Sequence, residues 1–142
     1  MGKNRNHLSE AHPVLKRVSL RRTMCYGHCP VYEVIIHGDG RVCWNGERFV
    51  SKEGPHEWQI SKRRLTALVK AIEKVDYFNL NWEKEGPFAT DDASAITSVE
   101  FHDGRSREID HYLGDYSPPE ILEKLEKTID RLAGTAPYIR GR

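Results

Sequence analysis

The sequence predicts an α+β fold, with an antiparallel sheet built from two hairpins plus an N-terminal strand, and with two helices packed on one face. Two Asp-Gly turns, at residues 39–40 and 103–104, each separate segments in which apolar and polar side chains alternate. Two amphipathic segments of helical periodicity each follow one of these hairpins. Hairpins make antiparallel pairs, so this order differs from the alternating strands and helices of a parallel α/β fold.

Apolar side chains at every second position predict three strands early in the chain, at residues 17–24, 31–37 and 41–47. The turn at 38–40 is predicted to be a bulged hairpin connection, because Asp-Gly supplies the positive φ that such turns need. In that register two pairs of apolar residues lie opposite each other on one face: Val34 with Trp44 and Ile36 with Val42.

A short further strand is predicted at residues 49–52, where Gly54 and Pro55 end it. The second hairpin pairs residues 95–101 with 105–113. Its register is open between one that pairs Val99 with Ile109 and Thr97 with His111 and one that pairs Glu100 with Arg107. The first is preferred because it sets two apolar side chains opposite each other.

Both helices have recognisable starts. Ser61 is an N-cap residue for a helix that runs to about residue 75, and residues 117–120 form a capping box for a helix that ends at Gly134. Their predicted buried stripes are Leu65, Leu68, Val69, Ile72 and Val75 in the first helix, and Ile121, Leu122, Leu125, Ile129 and Leu132 in the second.

The 142 residues fit one domain, since single domains usually run to about 100–150 residues. We expect residues 1–13 to form a flexible N-terminal arm, because they lack an apolar period, and residues 14–142 to form the domain. Lys plus Arg number 22 and Asp plus Glu 21, which excludes a globally basic nucleic-acid binder. The charges are nevertheless segregated, with a net charge of +6 over residues 1–80 and −8 over residues 83–130.

The expected location is the cytoplasm. No apolar run approaches the roughly 18 residues of a membrane span. The basic N-terminus lacks the apolar stretch of a signal peptide, and the three cysteines should therefore be mostly reduced.

The segment from Cys25 to Tyr32 is the main candidate site, because it contains two thiols and an imidazole within five residues. The thiols of Cys25 and Cys29 could cycle to a disulfide, because a C-x-x-x-C loop can close. Together with His28 they could instead bind zinc, which needs soft ligands in roughly tetrahedral geometry. The third interpretation is a structural turn, in which Gly27 permits the bend and both cysteines pack as small apolar groups.

A zinc site would need a fourth ligand from elsewhere in the chain: His56, Asp91, His111 or Cys43. Asp91 lies in a polar turn, and His111 lies late on the last strand, where it could act as a base. The candidate ligand-binding or redox residues are Cys25, Tyr26, His28, Cys29, Tyr32, His56, Asp91 and His111. We expect no cofactor, with zinc at Cys25, Cys29 and His28 as the alternative.

Nucleic-acid binding would have to use a basic patch from two elements: Arg17, Arg21 and Arg22 with Lys62, Arg63 and Arg64. The sequence contains no RNA-binding aromatic motif to support it. It also contains no nucleophile elbow, P-loop, G-x-G-x-x-G or H-E-x-x-H motif, so catalysis is unassigned and no enzyme class is indicated.

The pattern Cys-Tyr-Gly-x-Cys-Pro-x-Tyr, followed by Gly-Asp-Gly-Arg-Val, resembles a bacterial family known as a domain of unknown function. The resemblance spans residues 17–140 and continues through residues 54–56, 60–61, 90–91, 111–114 and 129–130. It implies a small α+β domain and brings no established activity or catalytic residues. Many members look exported, and in that setting the cysteine pair would more naturally be oxidised.

The sequence therefore predicts a small cytoplasmic module that binds a ligand or a protein partner, without established catalysis. The alternative is a thiol-redox or zinc-binding protein that uses Cys25 and Cys29. Nucleic-acid binding is a third and less favoured hypothesis. No membrane partner is expected, and the chain is expected to be a monomer or a homodimer.

Overall fold

The computed structural model describes residues 12–25, 27–81, 93–112 and 120–141. Six strands form one antiparallel sheet in the order β4-β3-β2-β1-β5-β6. Their bounds are β1 (Leu15–Arg22), β2 (Val31–His37), β3 (Arg41–Arg48), β4 (Gly54–Gln59), β5 (Ser94–Phe101) and β6 (Ser106–Tyr112). The N-terminal strand thus lies at the centre of the sheet and joins the two hairpins.

Two main helices, α1 (Lys62–Lys74) and α2 (Glu120–Ala133), contact each other and share one hydrophobic core with the sheet. A 3₁₀ turn (Tyr77–Asn79) follows α1, and a short helix α3 (Ala136–Arg140) follows α2. The predicted α+β class is confirmed. Within the described part of the chain, no helix has the length and apolar composition needed to span a bilayer.

The first hairpin has the predicted register, with Val34 opposite Trp44 and Ile36 opposite Val42. Its three-residue turn ends at Gly40, which has a φ of +92°. Strand β1 lies two residues earlier than predicted, because it begins at Leu15. His12, expected in the flexible arm, is buried, and its backbone N–H donates to the carbonyl of Gly38 at 2.7 Å.

Both predicted registers of the second hairpin are wrong. Val99 lies opposite Arg107, and Thr97 lies opposite Ile109. The reason is a three-residue turn like that of the first hairpin, closed by Gly104 at a φ of +97°. The preferred register differs from the observed one by two residues, so Ile109 still faces the core as expected.

The predicted strand at residues 49–52 is also wrong, as is the break at Gly54 and Pro55. Residues 49–52 form a loop, and β4 begins at Gly54. Proline is tolerated there because β4 is an edge strand, which leaves one side of its backbone without a ladder partner.

The helices follow their predicted pattern closely. Ser61 caps α1 by accepting the backbone N–H of Arg64 at 3.2 Å, and Gly134 ends α2 at a φ of +80°. The predicted burial of Ile121 is wrong, because its side chain is 36% exposed, whereas Glu126 is buried on the same helix. The capping box of α2 includes residues 117–119, which lie outside the described part of the chain.

Candidate functional site

A polar cluster joins the end of β1 to the end of α2. Arg22 and Tyr32 are paired across the β1–β2 ladder, and Asp130 reaches both from the last turn of α2. The Tyr32 hydroxyl lies 2.7 and 2.8 Å from the two Asp130 oxygens, and Arg22 Nη2 lies 3.1 Å from Oδ2. Arg22 Nε also donates to the Tyr32 hydroxyl at 2.9 Å, and the Thr135 hydroxyl donates to Asp130 Oδ1 at 2.7 Å.

The cluster lies at the boundary between core and solvent. The side chains of Arg22 and Asp130 are 20% and 18% exposed, so their ion pair is only partly screened by water. Burial and the neighbouring Asp130 carboxylate raise the pKa of the Tyr32 hydroxyl, which stays protonated as a donor. Although burial opposes the charged form of Arg22, Tyr32 and Asp130 raise the pKa of its guanidinium above the ordinary value.

These contacts fix the Arg22 guanidinium without using all of its donors. Nε and Nη2 are occupied by Tyr32 and Asp130, whereas Nη1 makes no hydrogen bond to any residue within the described ranges. Tyr32 is itself held by stacking on Trp44, with ring centroids 4.6 Å apart. The cluster therefore presents a positioned cation rather than a mobile one.

A cavity of about 680 Å³ opens beside this cluster. Its apolar wall comes from the end of the β1–β2 connection, the residue before β5, and α3: Cys29, Pro30, Ala93, Ala136 and Ile139. Among the described residues, the charged side chains that line it are four cations, Arg22, Lys127, Arg131 and Arg140, and one carboxylate, Asp130. The described part of the lining therefore combines an apolar wall with an excess of positive charge.

The cations differ in how far they are neutralised. Arg22 is paired with Asp130, and Lys127 lies 3.5 Å from Glu123 one helical turn away. Arg131 and Arg140 are exposed and form no ion pair with any residue in the described ranges. These two arginines thus supply most of the unbalanced positive charge at the cavity.

The turn between β1 and β2 forms one side of the cavity. Cys25 and Cys29 are at disulfide distance, with sulfurs 2.09 Å apart and Cα atoms 5.8 Å apart. The Gly27 backbone N–H donates to Cys25 Sγ at 3.2 Å. Cys29 lines the cavity, so the pair closes the loop that connects the two strands carrying Arg22 and Tyr32.

The other site residues predicted from the sequence lie either in this turn or on distant strands of the sheet. His28 is exposed and contacts the edge of the Phe49 ring, with centroids 4.7 Å apart. His56 lies on edge strand β4 and faces Tyr138, whereas His111 lies on the opposite edge strand. Tyr26 and Asp91 lie outside the described residues.

His111 is buried, and its Nδ1 lies 2.6 Å from Glu126 Oε2 beneath α2. Because His56 and His111 occupy opposite edges of the sheet, they do not converge on the cysteine turn. Over the described ranges of the chain, no three His, Cys, Asp or Glu side chains are grouped so that they could hold a metal ion.

The residues of the predicted basic patch lie on different surfaces. Arg17 and Arg21 point from β1 to the sheet face that the helices leave uncovered, and Arg17 pairs with Glu100. Lys62 and Arg63 lie on α1, which covers the other face. Arg64 donates to the carbonyl of Leu132 at 3.0 Å, so it joins the two helices.

Of this cluster, the sequence predicts Tyr32 as a site residue and places Arg22 only in the basic patch. Asp130 enters the sequence predictions only among the positions of the family resemblance, and Thr135 is not predicted. One signal was present. Asp130 follows the buried Ile129 in the last turn of α2, where the helix dipole disfavours a negative charge. A carboxylate at such a position indicates a specific cationic or hydrogen-bonding partner.

A family model described as a domain of unknown function, DUF6438, matches residues 16–133. Comparison with curated proteins and with solved structures found no significant match. The matched segment contains the disulfide turn, most of the sheet and α2, whereas α3 lies beyond it. Since the match covers most of the sequence, the chain belongs to the DUF6438 family.

Proposed function

We propose that the chain is a binding module whose ligand occupies the cavity between the disulfide turn, the end of β1 and helices α2 and α3. The ligand carries an anionic group on an apolar body. The observation that supports this is the lining itself, which in the described part of the chain consists of four cations, one carboxylate and an apolar wall. A volume of about 680 Å³ also lies within the range of about 300–1,000 Å³ that is typical of small-molecule sites.

Arg22 is the proposed primary contact for the anion. Its guanidinium is held by Asp130 and Tyr32, and its Nη1 group has donors left for a ligand. A cation that is already positioned loses little side-chain entropy when an anion binds. Arg131 and Arg140, which line the cavity and are exposed, would add longer-range attraction that salt weakens.

The apolar body of the ligand would lie against Pro30, Ala136 and Ile139. Burial of apolar surface provides a driving force that a free inorganic anion cannot use. We therefore expect a carboxylate with a hydrocarbon chain to bind more tightly than inorganic phosphate.

The experiment is an NMR titration with hexanoate, with hexanamide and hexylammonium as neutral and cationic controls of the same length. We expect hexanoate alone to shift the amide signals of cavity residues such as Cys29 and Thr135 in a saturable way. The double variant R131Q/R140Q should bind hexanoate about five- to tenfold more weakly, since each partly exposed charge contributes about 0.2–1 kcal/mol. The matched control is R63Q/K70Q, which removes two exposed charges on α1 and should leave the affinity unchanged.

Two results would refute this proposal. One is equal binding of hexanoate, hexanamide and hexylammonium, which would remove the selectivity for anions. The other is an R131Q/R140Q variant that binds hexanoate as tightly as the native chain does.

A second candidate function is thiol–disulfide chemistry, favoured by Cys25 and Cys29 at disulfide distance in an accessible turn. A small dithiol should reduce the pair to two thiols while the dithiol itself is oxidised to a cyclic disulfide. In the proposed cytoplasmic location, cellular dithiols would reduce the pair by the same exchange. A pair that stays oxidised after incubation with dithiothreitol under native conditions would contradict a redox role.

We further propose the Cys25–Tyr32 segment as a signature of the family.

A further inference from the structure

We propose that the ligand of this cavity is an acidic polypeptide segment, which places a carboxylate against the cavity cations and an apolar side chain on an exposed patch beside them. It consists of two exposed features next to lining residues of the cavity, Met24 beside Thr23 and the His28–Phe49 ring pair beside Cys29, and we call them together the rim patch. This inference rests on the proposed anion site and adds the class of partner and a second contact surface.

The rim patch contains the two most exposed large apolar side chains of the described part of the chain. Met24 is 59% exposed and Phe49 is 43% exposed. His28 joins the patch through its edge contact with the Phe49 ring. Large apolar side chains left exposed beside a cavity are typical of a surface that a partner covers.

The backbone at Phe49 adds an independent observation. Its φ is +57°, a left-handed conformation that side chains other than Gly, Asn and Asp adopt rarely. The conformation holds the ring outward between His28 and the guanidinium of Arg48, which lies 5.1 Å from the ring centroid. Strain of this kind is common at ligand clamps, so an exposed aromatic ring in a strained loop suggests a contact residue.

The residues of the rim patch are joined to residues that line the cavity. Met24 directly follows Thr23, and His28 directly precedes Cys29; Thr23 and Cys29 both line the cavity. The loop after Phe49 is joined to α3, because Ser51 donates its backbone N–H to the carbonyl of Ile139 at 2.9 Å. These connections support our proposal that one extended ligand contacts both surfaces.

Charge and shape together favour an acidic peptide. Arg48 at the patch and Arg140 at the cavity are exposed cations with no ion pair to a residue in the described ranges. A ligand small enough to fill the cavity would leave Met24 and Phe49 uncovered. An extended chain advances about 3.3 Å per residue, so a few residues suffice to reach from an enclosed carboxylate to the patch.

The probe is a fluorescein-labelled pentapeptide, Glu-Asp-Glu-Asp-Phe, with a free C-terminal carboxylate, and binding to the full chain is measured by fluorescence anisotropy. The controls are the same peptide with serine in place of phenylalanine, and a Lys-Arg-Lys-Arg-Phe peptide. We expect saturable binding of the first peptide, at least tenfold weaker binding of the serine peptide and no saturable binding of the basic one.

Two variants test the rim patch. M24S removes an exposed side chain, and F49N introduces a residue that tolerates the left-handed backbone, so both should keep the native fold. Each should weaken peptide binding about fivefold or more while hexanoate binding stays unchanged. The matched control is I121S, which removes an exposed apolar side chain at the start of α2 and should leave peptide binding unchanged.

The outcomes separate this inference from the proposed function. Hexanoate binding without peptide binding, or equal peptide affinity in M24S, F49N and the native chain, would overturn the acidic-peptide partner and leave the anion site intact. Failure of hexanoate to bind, with peptide affinity unaffected by R131Q/R140Q, would overturn the anion site. A third outcome is that the protein sediments with phosphatidylglycerol vesicles, that F49N sediments less, and that no peptide binds. This outcome would identify a membrane surface as the partner and refute the acidic peptide.

Discussion

Replacement of Asp130 by asparagine should be the most informative change in the polar cluster. The carboxylate accepts hydrogen bonds from Tyr32, Thr135 and Arg22, and it balances the charge of Arg22. Asparagine has nearly the same shape but offers one acceptor oxygen and no charge. D130N therefore leaves the packing of α2 in place and removes the electrostatic part of the cluster.

The expected cost is about 2–3 kcal/mol of the free energy of unfolding. Breaking a buried ion pair by removal of one partner costs about 3–5 kcal/mol, because the other charge is left uncompensated. The side chains of Arg22 and Asp130 are about one-fifth exposed, so water can partly solvate the remaining guanidinium. The asparagine oxygen also retains one of the hydrogen bonds, which places the cost below the lower end of that range.

Urea denaturation followed by circular dichroism measures this cost. With a urea dependence of about 1.5–2 kcal/mol per molar, the midpoint should fall by about 1–2 M at an unchanged slope. The matched control is E123Q on the same helix, where the carboxylate pairs with Lys127 but both side chains are mostly exposed. That variant should change the free energy of unfolding by less than about 0.5 kcal/mol.

A double-mutant cycle with R22M tests whether the cost comes from the ion pair. The double variant D130N/R22M should be less destabilised than the sum of the single variants, by about 1–2 kcal/mol, because neither single partner then remains uncompensated. Additive effects, or a D130N midpoint within experimental error of that of E123Q, would refute the electrostatic role assigned to Asp130.

Three further predictions concern other groups. Burial and the nearby Lys62 lower the pKa of His12, whose Nδ1 accepts the backbone N–H groups of Val14 and Leu15. The folded state thus favours the neutral ring, so the free energy of unfolding should fall as the pH drops below about 6.5. Urea titrations at pH 7.5 and 5.5 should show a smaller pH dependence for H12N than for the native chain. An unchanged pH dependence in H12N would contradict this role of His12. Burial raises the pKa of Tyr77 to about 12. Stability should therefore fall as the pH rises above about 10, because the Tyr77 hydroxyl ionises at lower pH in the unfolded chain than in the folded one. Y77F should lack this part of the loss of stability. Absorbance at 295 nm should show a late-ionising tyrosine in the native chain that is missing in Y77F. Finally, thiol titration of the unreduced, denatured chain should find Cys43 alone. Reduction of the Cys25–Cys29 pair should lower the free energy of unfolding by up to about 2 kcal/mol, because the closed loop is short. Three thiols before reduction would show that the pair is not oxidised.

The sequence predicts local geometry well wherever one chain segment determines it. The register of the first hairpin follows from its turn and from the apolar residues on both sides, and the start of α1 follows from Ser61. The second hairpin shows the limit of predicting a register from local sequence, because a shift of two residues leaves the same side chains facing the core. The hydrophobic pattern alone therefore cannot distinguish the observed register from the preferred one.

The polar cluster depends on contacts that no short segment contains. Arg22 and Asp130 are 108 residues apart, and they meet only because β1 lies at the centre of the sheet under the end of α2. The sequence pattern supplied Tyr32 and the cysteine pair but gave no indication of which helix end would cover them. Conversely, His56 and His111 are plausible ligands by type, and the strand order separates them onto opposite edges.

The distribution of charge at the cavity follows from the same long-range arrangement. A net charge of +1 for the whole chain suggests no preference for an anionic ligand. The fold nevertheless brings Arg22 from the basic first segment together with Arg131 and Arg140 from the end of the chain. The acidic segment contributes Asp130 beside them, and that carboxylate is occupied by hydrogen bonds within the cluster. Asp130 fixes Arg22 instead of facing the cavity alone, so the one acid among the described lining residues helps to organise the positive charge. D130N should therefore weaken hexanoate binding as well as stability.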